Sequence, residues 1–350
     1  MSTVTEPVEP TEPAEPVQAS EPSEAGGPGA LERVRAVAGD VLRNPVLRRE
    51  MDERAASNRA AVAMTVWLLL LTGLALLVYL AYSSDTGFDP VTDDSARIGK
   101  DLFEWTLFGM LGLVLFLVPA FTASAVAGER TRQTLIPVQM TTLTPLSIVL
   151  GKTLAAVAFT VLLVVAAAPI LALAFLIGGV GLADVAKGLG MVILTAVVIG
   201  AVGIMFSAMF RKVQGAIVMT YGFVLAISIG TFILLGVVAI FQGISNDDFG
   251  PTPNPPKEIL APNPFVALAD ATGGSDGGVG DNALSGIRSL IEELERDRQW
   301  FDVVGPDVQQ LEEQETTALW RWYLVGSVLV VYTSMYVATG RLRTPAPTER

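Results

Sequence analysis

The stretch Leu146 to Thr153, LSIVLGKT, ends in the Gly-Lys-Thr of a phosphate-binding loop. In such a loop backbone N–H groups cradle nucleotide phosphates and the lysine reaches the terminal ones. The pattern needs glycine where Leu146 stands, and it needs a preceding strand; here the segment runs straight into an apolar run. Lys152 therefore reads as an interfacial anchor, and the chain binds no ATP in that manner. Other chemistry is excluded by composition: with no histidine and no cysteine among 350 residues, there are no disulfides, thiolate or imidazole metal sites, Cys-His or Ser-His-Asp catalysis, or histidine proton relays.

The same lysine closes a longer segment, Gly128 to Lys152, that joins two apolar runs yet carries charge, helical periodicity and two prolines. Glu129, Arg130, Arg132 and Gln133 form a polar entrance. Ile136, Met140 and Leu143 share one helical face with Leu135 alongside, a pattern that predicts a short helix lying on a membrane surface. Pro137 either breaks that helix or opens its second part, and Pro145 ends it.

The elements that position this segment are membrane spans. Hydrophobic residues make up 51% of the chain, and windows of the roughly 20 residues needed to cross a bilayer fall at 62–83, 104–127, 148–177, 184–208, 214–242 and 321–340. The expected fold is an all-α integral membrane protein with six transmembrane helices across 62–343, no nucleic-acid role, and a third span broken or tilted near Pro169. Residues 1–30 repeat Glu-Pro without a basic residue and read as a disordered tail, either solubilising or partner-binding. An arginine-rich region follows at 31–61, which on its basic residues alone reads as a surface anchor on anionic lipid, and a short tail stands at 344–350.

Orientation follows from the basic residues. Seven arginines precede the first span, Arg130 and Arg132 follow the second, Arg211 and Lys212 the fourth, and Arg341 and Arg343 the sixth. The positive-inside rule places all of these in the cytoplasm, with both termini, at the cell (plasma) membrane. The opposite loops are acidic. The longest, about 244–319, starts with turn chemistry and then shows Leu284, Ile287, Leu290, Ile291 and Leu294 at helical spacing, with a second candidate helix at 307–319. The first of these is either a lid over a path through the membrane or a helix packed on the rim of the bundle.

No span interior holds a charged residue; Glu104, Lys152, Lys187 and Arg321 stand at span ends, where snorkelling is the expected solution. Proton antiport and intramembrane proteolysis are disfavoured on that ground, whereas sodium coupling through hydroxyl and carbonyl oxygens stays open. Small residues form ridges at Ala196, Gly200, Gly203 and Ser207 on the fourth span and at Gly222, Ala226 and Gly230 on the fifth. Such ridges serve either sliding interfaces or static close packing.

Taken in order, Gly128-Glu129-Arg130, Thr134-Leu135, Thr144-Pro145 and Gly151-Lys152 resemble the membrane subunits of exporter-type ABC transporters, the ABC-2 class. Asn44-Pro45-Val46-Leu47-Arg48-Arg49-Glu50 is similar to that family's entrance to a cytoplasmic elbow helix, and Asn263-Pro264-Phe265 to an element before its last span. The resemblance covers roughly 40–343, with Gln133 and Pro137 as departures. It implies a permease subunit without a catalytic site or cofactor of its own, paired with a second permease subunit as a homo- or heterodimer in the lipid bilayer. ATP and Mg would sit on a separate cytosolic ATPase subunit. It further implies a coupling helix that includes Thr134, Leu135 and Pro145, in which Glu129, Arg130 and Arg132 make polar contacts with the ATPase and Ile136, Met140 and Leu143 anchor the helix, and an amphipathic elbow helix within 31–61 carrying Asn44, Pro45, Arg48, Arg49 and Glu50. The alternatives from the residues alone are a secondary transporter or channel and a non-transporting scaffold.

Overall fold

The computed structural model describes residues 58–85, 94–131, 145–245, 255–273, 283–303 and 318–343, and every regular element among them is helical. The Glu/Pro tail, the elbow residues up to 57, the loop 132–144, most of the second candidate helix at 307–319 and the last residues 344–350 lie outside that description.

Six helical stretches are long and apolar enough to cross a bilayer, at Ala61–Ala81, Ala96–Thr131, Ile148–Ile177, Leu182–Met209, Val213–Gln242 and Leu319–Leu342. The chain is thus a multi-pass helical membrane protein. The first span is α1 (Asn58–Asp85) and the second is α2 (Asp94–Thr122), followed after a turn by the short α3 (Ala127–Thr131). The helix α2 begins well before the apolar window that starts at 104. Arg97, Lys100 and Asp101 end the window, yet Ile98, Asp101 and Leu102 are buried and carry the helix onward.

The third span breaks as its proline foretells. Helix α4 (Pro145–Ala166) stops at Ala167, and α5 (Ala168–Ile177) restarts with Pro169 in its first turn, where a missing N–H costs least. The chain then reverses through Gly178 and Gly179, with φ of 111° and 79°, a region that favours glycine. A side chain at Gly179 would also collide with the Ala96 carbonyl, so the turn and the start of α2 nest backbone to backbone.

Helix α6 (Leu182–Met209) is the centre of the bundle, packed by α2, α4, α7 (Val213–Leu225), α9 (Pro264–Thr272) and α11 (Leu319–Arg343). The fifth span is α7, a π-helical turn (Ala226–Gly230) and α8 (Thr231–Ser245). After a 3-10 turn at Lys257–Leu260 and α9, the amphipathic pattern forms α10 (Ala283–Val303), with Leu284, Ile291 and Leu294 buried. It packs on α2 and α9.

The bundle has two distinct ends. At the Gly128 end, Val126, Val149, Ile204, Ala208, Ala338 and Leu342 form one buried cluster that joins the second, third, fourth and sixth spans. At the other, the Gly178 end, lie the 178–179 turn, the start of α2 and α10. Where α2 crosses α6, Gly203 faces Thr122 so closely that a Cβ would collide with the Thr122 hydroxyl. Thr122 is buried, and its Cβ as well as its hydroxyl would be struck, so a change of rotamer does not relieve the clash. Gly203→Val is therefore expected to lower stability by about 1–3 kcal/mol, while Gly222→Val, which meets nothing, stays within about 0.5 kcal/mol. Thermal unfolding of the purified protein in detergent reads the difference.

Candidate functional site

At the Gly128 end the chain leaves α2 through a tight turn in which Gly128 N and Arg130 N reach the carbonyls of Ser124 and Val126, while Val126 N and Ala127 N, at the start of α3, need another acceptor. Ser207 supplies the acceptor from another span: its Oγ accepts from Val126 N at 2.9 Å and from Ala127 N at 3.0 Å. The next two side chains turn inward. Glu129 Oε1 accepts from Lys152 Nζ at 2.8 Å, with Lys152 only 2% exposed and Glu129 23% exposed. The Arg130 guanidinium lies 3.5 Å from the carbonyl oxygens of Ala208 and Phe210. Those carbonyls end α6, and a cation there suits both the unpaired acceptors and the negative end of the helix dipole.

The Gly-Glu-Arg segment is thus bonded to the third span through Lys152 and to the fourth through Ser207, Ala208 and Phe210. Lys152 is not a snorkelling anchor. Burial removes it from water, and the Glu129 carboxylate takes water's place. Arg132, Thr134, Leu135, Ile136, Met140 and Leu143 belong to the loop outside the described residues, as do Asn44, Pro45, Arg48, Arg49 and Glu50. Pro145 opens α4.

The two small-residue ridges separate. Ala196, Gly200, Gly203 and Ser207 are all buried on α6, and Ser207 acts there as a hydrogen-bond acceptor as well as a small residue. Gly222 and Ala226 are exposed and Gly230 is half-buried, with no neighbour in reach of a Cβ at Gly222. The expected shared face assumes an unbroken α-helix, and the π-turn that begins at Ala226 changes the register.

A second polar cluster stands at the Gly178 end. Arg288 on α10 donates from Nη1 to Glu104 Oε2 at 3.0 Å, and its Nη2 lies 2.9 Å from Glu104 Oε1. The same guanidinium donates from Nε to Ala269 O at 2.9 Å and from Nη2 to Thr272 Oγ1 at 3.1 Å. Glu104, 2% exposed, is held by this fork and does not reach water by snorkelling. Lys187 and Arg321 are exposed; Lys187 Nζ is 3.6 Å from Asp184 and Arg321 lies over the Trp320 ring. Lys257 pairs with Glu295, tying the 3-10 turn to α10. Asp270 Oδ2 accepts from Trp320 N at 2.9 Å at the start of α11. Burial pushes the Asp270 carboxyl above its usual range, against the Trp320 N–H bond that favours the anion.

Sequence reasoning missed Arg288, although it carries a signal. It stands between Leu284 and Ile291 on the apolar stripe of its helix, where a solvated arginine has no place. Between α1 and α2 an apolar groove of about 450 Å³ is lined by Val62, Val66, Trp67, Phe116 and Phe121, among others, with Asn58 also at its wall. Among the described residues no group of acidic side chains is arranged to hold a metal. The geometry as a whole defines a six-span helical membrane protein with a buried ion pair toward each end, Glu129–Lys152 and Glu104–Arg288. No family model and no curated protein matches the chain.

Because Lys152 is buried, removing the Glu129 carboxylate takes away the opposite charge that balances it. Glu129→Gln is expected to cost about 2–3 kcal/mol, below the ~3–5 kcal/mol of a fully buried pair because Glu129 is partly exposed. The charge swap Glu129→Lys with Lys152→Glu recovers part of the loss, as measured by unfolding in detergent. An unchanged midpoint in Glu129→Gln would contradict the role given to this pair.

Proposed function

We propose that the chain is the transmembrane permease subunit of an ATP-driven exporter of the ABC-2 class, working as a dimer of permease subunits with a separately encoded cytosolic ATPase. The observation that carries the reading is the bonding of Glu129, Arg130 and Ser207. A loop that leaves at Thr131 and returns at Pro145 begins from a segment fastened to the third and fourth spans. A push on that loop by a partner passes to both spans, because Glu129 is paired with Lys152 and Arg130 faces the carbonyls that end α6.

The charge distribution supports the orientation. Arg130, Arg211, Lys212 and Arg341 all belong to the Gly128 end, where the positive-inside rule puts the cytoplasm. In this reading Glu129 and Arg130 work inside the permease, and the surface offered to the ATPase is left to Arg132, Thr134 and the residues up to Leu143. ATP and Mg belong to the partner subunit.

Purification of the chain from its native membranes is expected to bring down a stoichiometric cytosolic subunit with a phosphate-binding loop. Arg132→Glu is expected to weaken that association while leaving the unfolding midpoint unchanged. Recovery of the permease without such a subunit, whatever the detergent, favours a secondary transporter, channel or scaffold and contradicts the proposal.

A further inference from the structure

The fifth span is not one continuous α-helix, since the π-turn Ala226–Gly230 separates α7 from α8. A π-turn interrupts the i→i−4 ladder and releases backbone carbonyls, and inside a bilayer no water is at hand to accept them as partners. Their partners come from the Asn-Pro-Phe element. Asn263 Nδ2 donates to the Ser228 carbonyl at 2.7 Å and to Thr231 Oγ1 at 2.8 Å. Thr231 Oγ1 in turn donates to the Ile227 carbonyl at 3.1 Å.

The other half of the same amide faces the opposite way. Asn263 Oδ1 accepts from Phe265 N at 2.9 Å and from Val266 N at 3.4 Å, capping α9. Asn263 is completely buried, and both lone pairs and both N–H bonds of its amide are committed. The orientation of the amide is fixed by these partners, because a flipped amide would set its N–H groups against the N–H groups of Phe265 and Val266.

We infer that Asn263 is the positioning residue that holds the fifth span in its π-turned register, making the turn a joint whose setting depends on the seating of residues 255–272. This goes beyond the exporter reading and stands whether or not that reading holds. The physical consequence is a choice between two faces of α8. As held, Leu235 is buried with Leu260, Val266, Ile291, Leu294 and Leu319, while Leu234 is exposed. Relaxation of the π-turn to α-helix turns everything beyond it by about 100°, one residue's worth at 3.6 residues per turn. Leu234 then takes the place of Leu235 against Leu260.

The chain has no cysteine, so paired substitutions report this directly in membranes containing the full-length protein. In the parent, Leu235→Cys with Leu260→Cys is expected to cross-link on oxidation, and Leu234→Cys with Leu260→Cys to do so several-fold less. Asn263→Ser keeps an oxygen to cap α9 but is too short to reach the turn; it is expected to reverse that preference. Thr231→Val, which leaves the α9 cap intact, should shift the ratio the same way and serves if the first variant folds poorly. An unchanged ratio in both variants overturns the inference. So does loss of the 235–260 cross-link without a gain at 234–260, which would mean that Asn263 only seats the segment 255–272.

Discussion

A polar group beside hydrocarbon must find its partner within the protein, and this one constraint organises the chain. Its cost is several kcal/mol for a bare backbone group and more for a bare charge. The six spans meet it in three ways. Span hydroxyls at Thr106, Thr122, Thr153, Thr160 and Thr220 donate to carbonyls one turn back on their own helices. Released backbone groups are met from other elements, by Ser207 at one end and Asn263 near the other. Buried charges are met by opposite charges, at Glu129–Lys152 and Glu104–Arg288.

The placement of these partners has a mechanical result. Ser207, Asn263 and the two ion pairs each join segments that the chain's course keeps apart, so the spans are fastened toward their ends and packed by small and apolar residues where they cross. On the Gly128 end the fastening ties the start of the loop between the second and third spans to the third and fourth spans. On the Gly178 end it holds α9 and α10 against α2 and α6. Under the exporter reading, a movement delivered at one end has a connected path through α6 to the other, since α6 touches both polar clusters' neighbours.

The spans were legible because apolar length is a local signal, and so was the break at Pro169, because proline acts where it stands. The amphipathic α10 was legible from its leucine and isoleucine spacing. The ion pairs were not: Lys152 and Glu129 are 23 residues apart, Arg288 and Glu104 are 184 apart, and a charge at a span end reads as a snorkelling one until its partner is located. Ser207 read only as a small residue for the same reason. The π-turn has no proline to announce it; Gly230 and the hydroxyls of Ser228 and Thr231 stand there in an apolar run, and glycine in a span reads equally as a packing residue. The ridge at Gly222, Ala226 and Gly230 misled because helical spacing presumes a regular helix.

The central claim, that paired burial and not charge as such holds the ends together, is tested most directly on Glu104 and Arg288. Arg288→Met is expected to destabilise the purified protein by about 3–5 kcal/mol, since it strands the buried Glu104 carboxylate, and Glu104→Leu by less, since Arg288 keeps its bonds to Ala269 and Thr272. The double variant strands none, and it is expected to be more stable than either single one, giving a coupling of several kcal/mol in a double-mutant cycle. Additive losses, with the double variant the least stable of the three, would contradict the account.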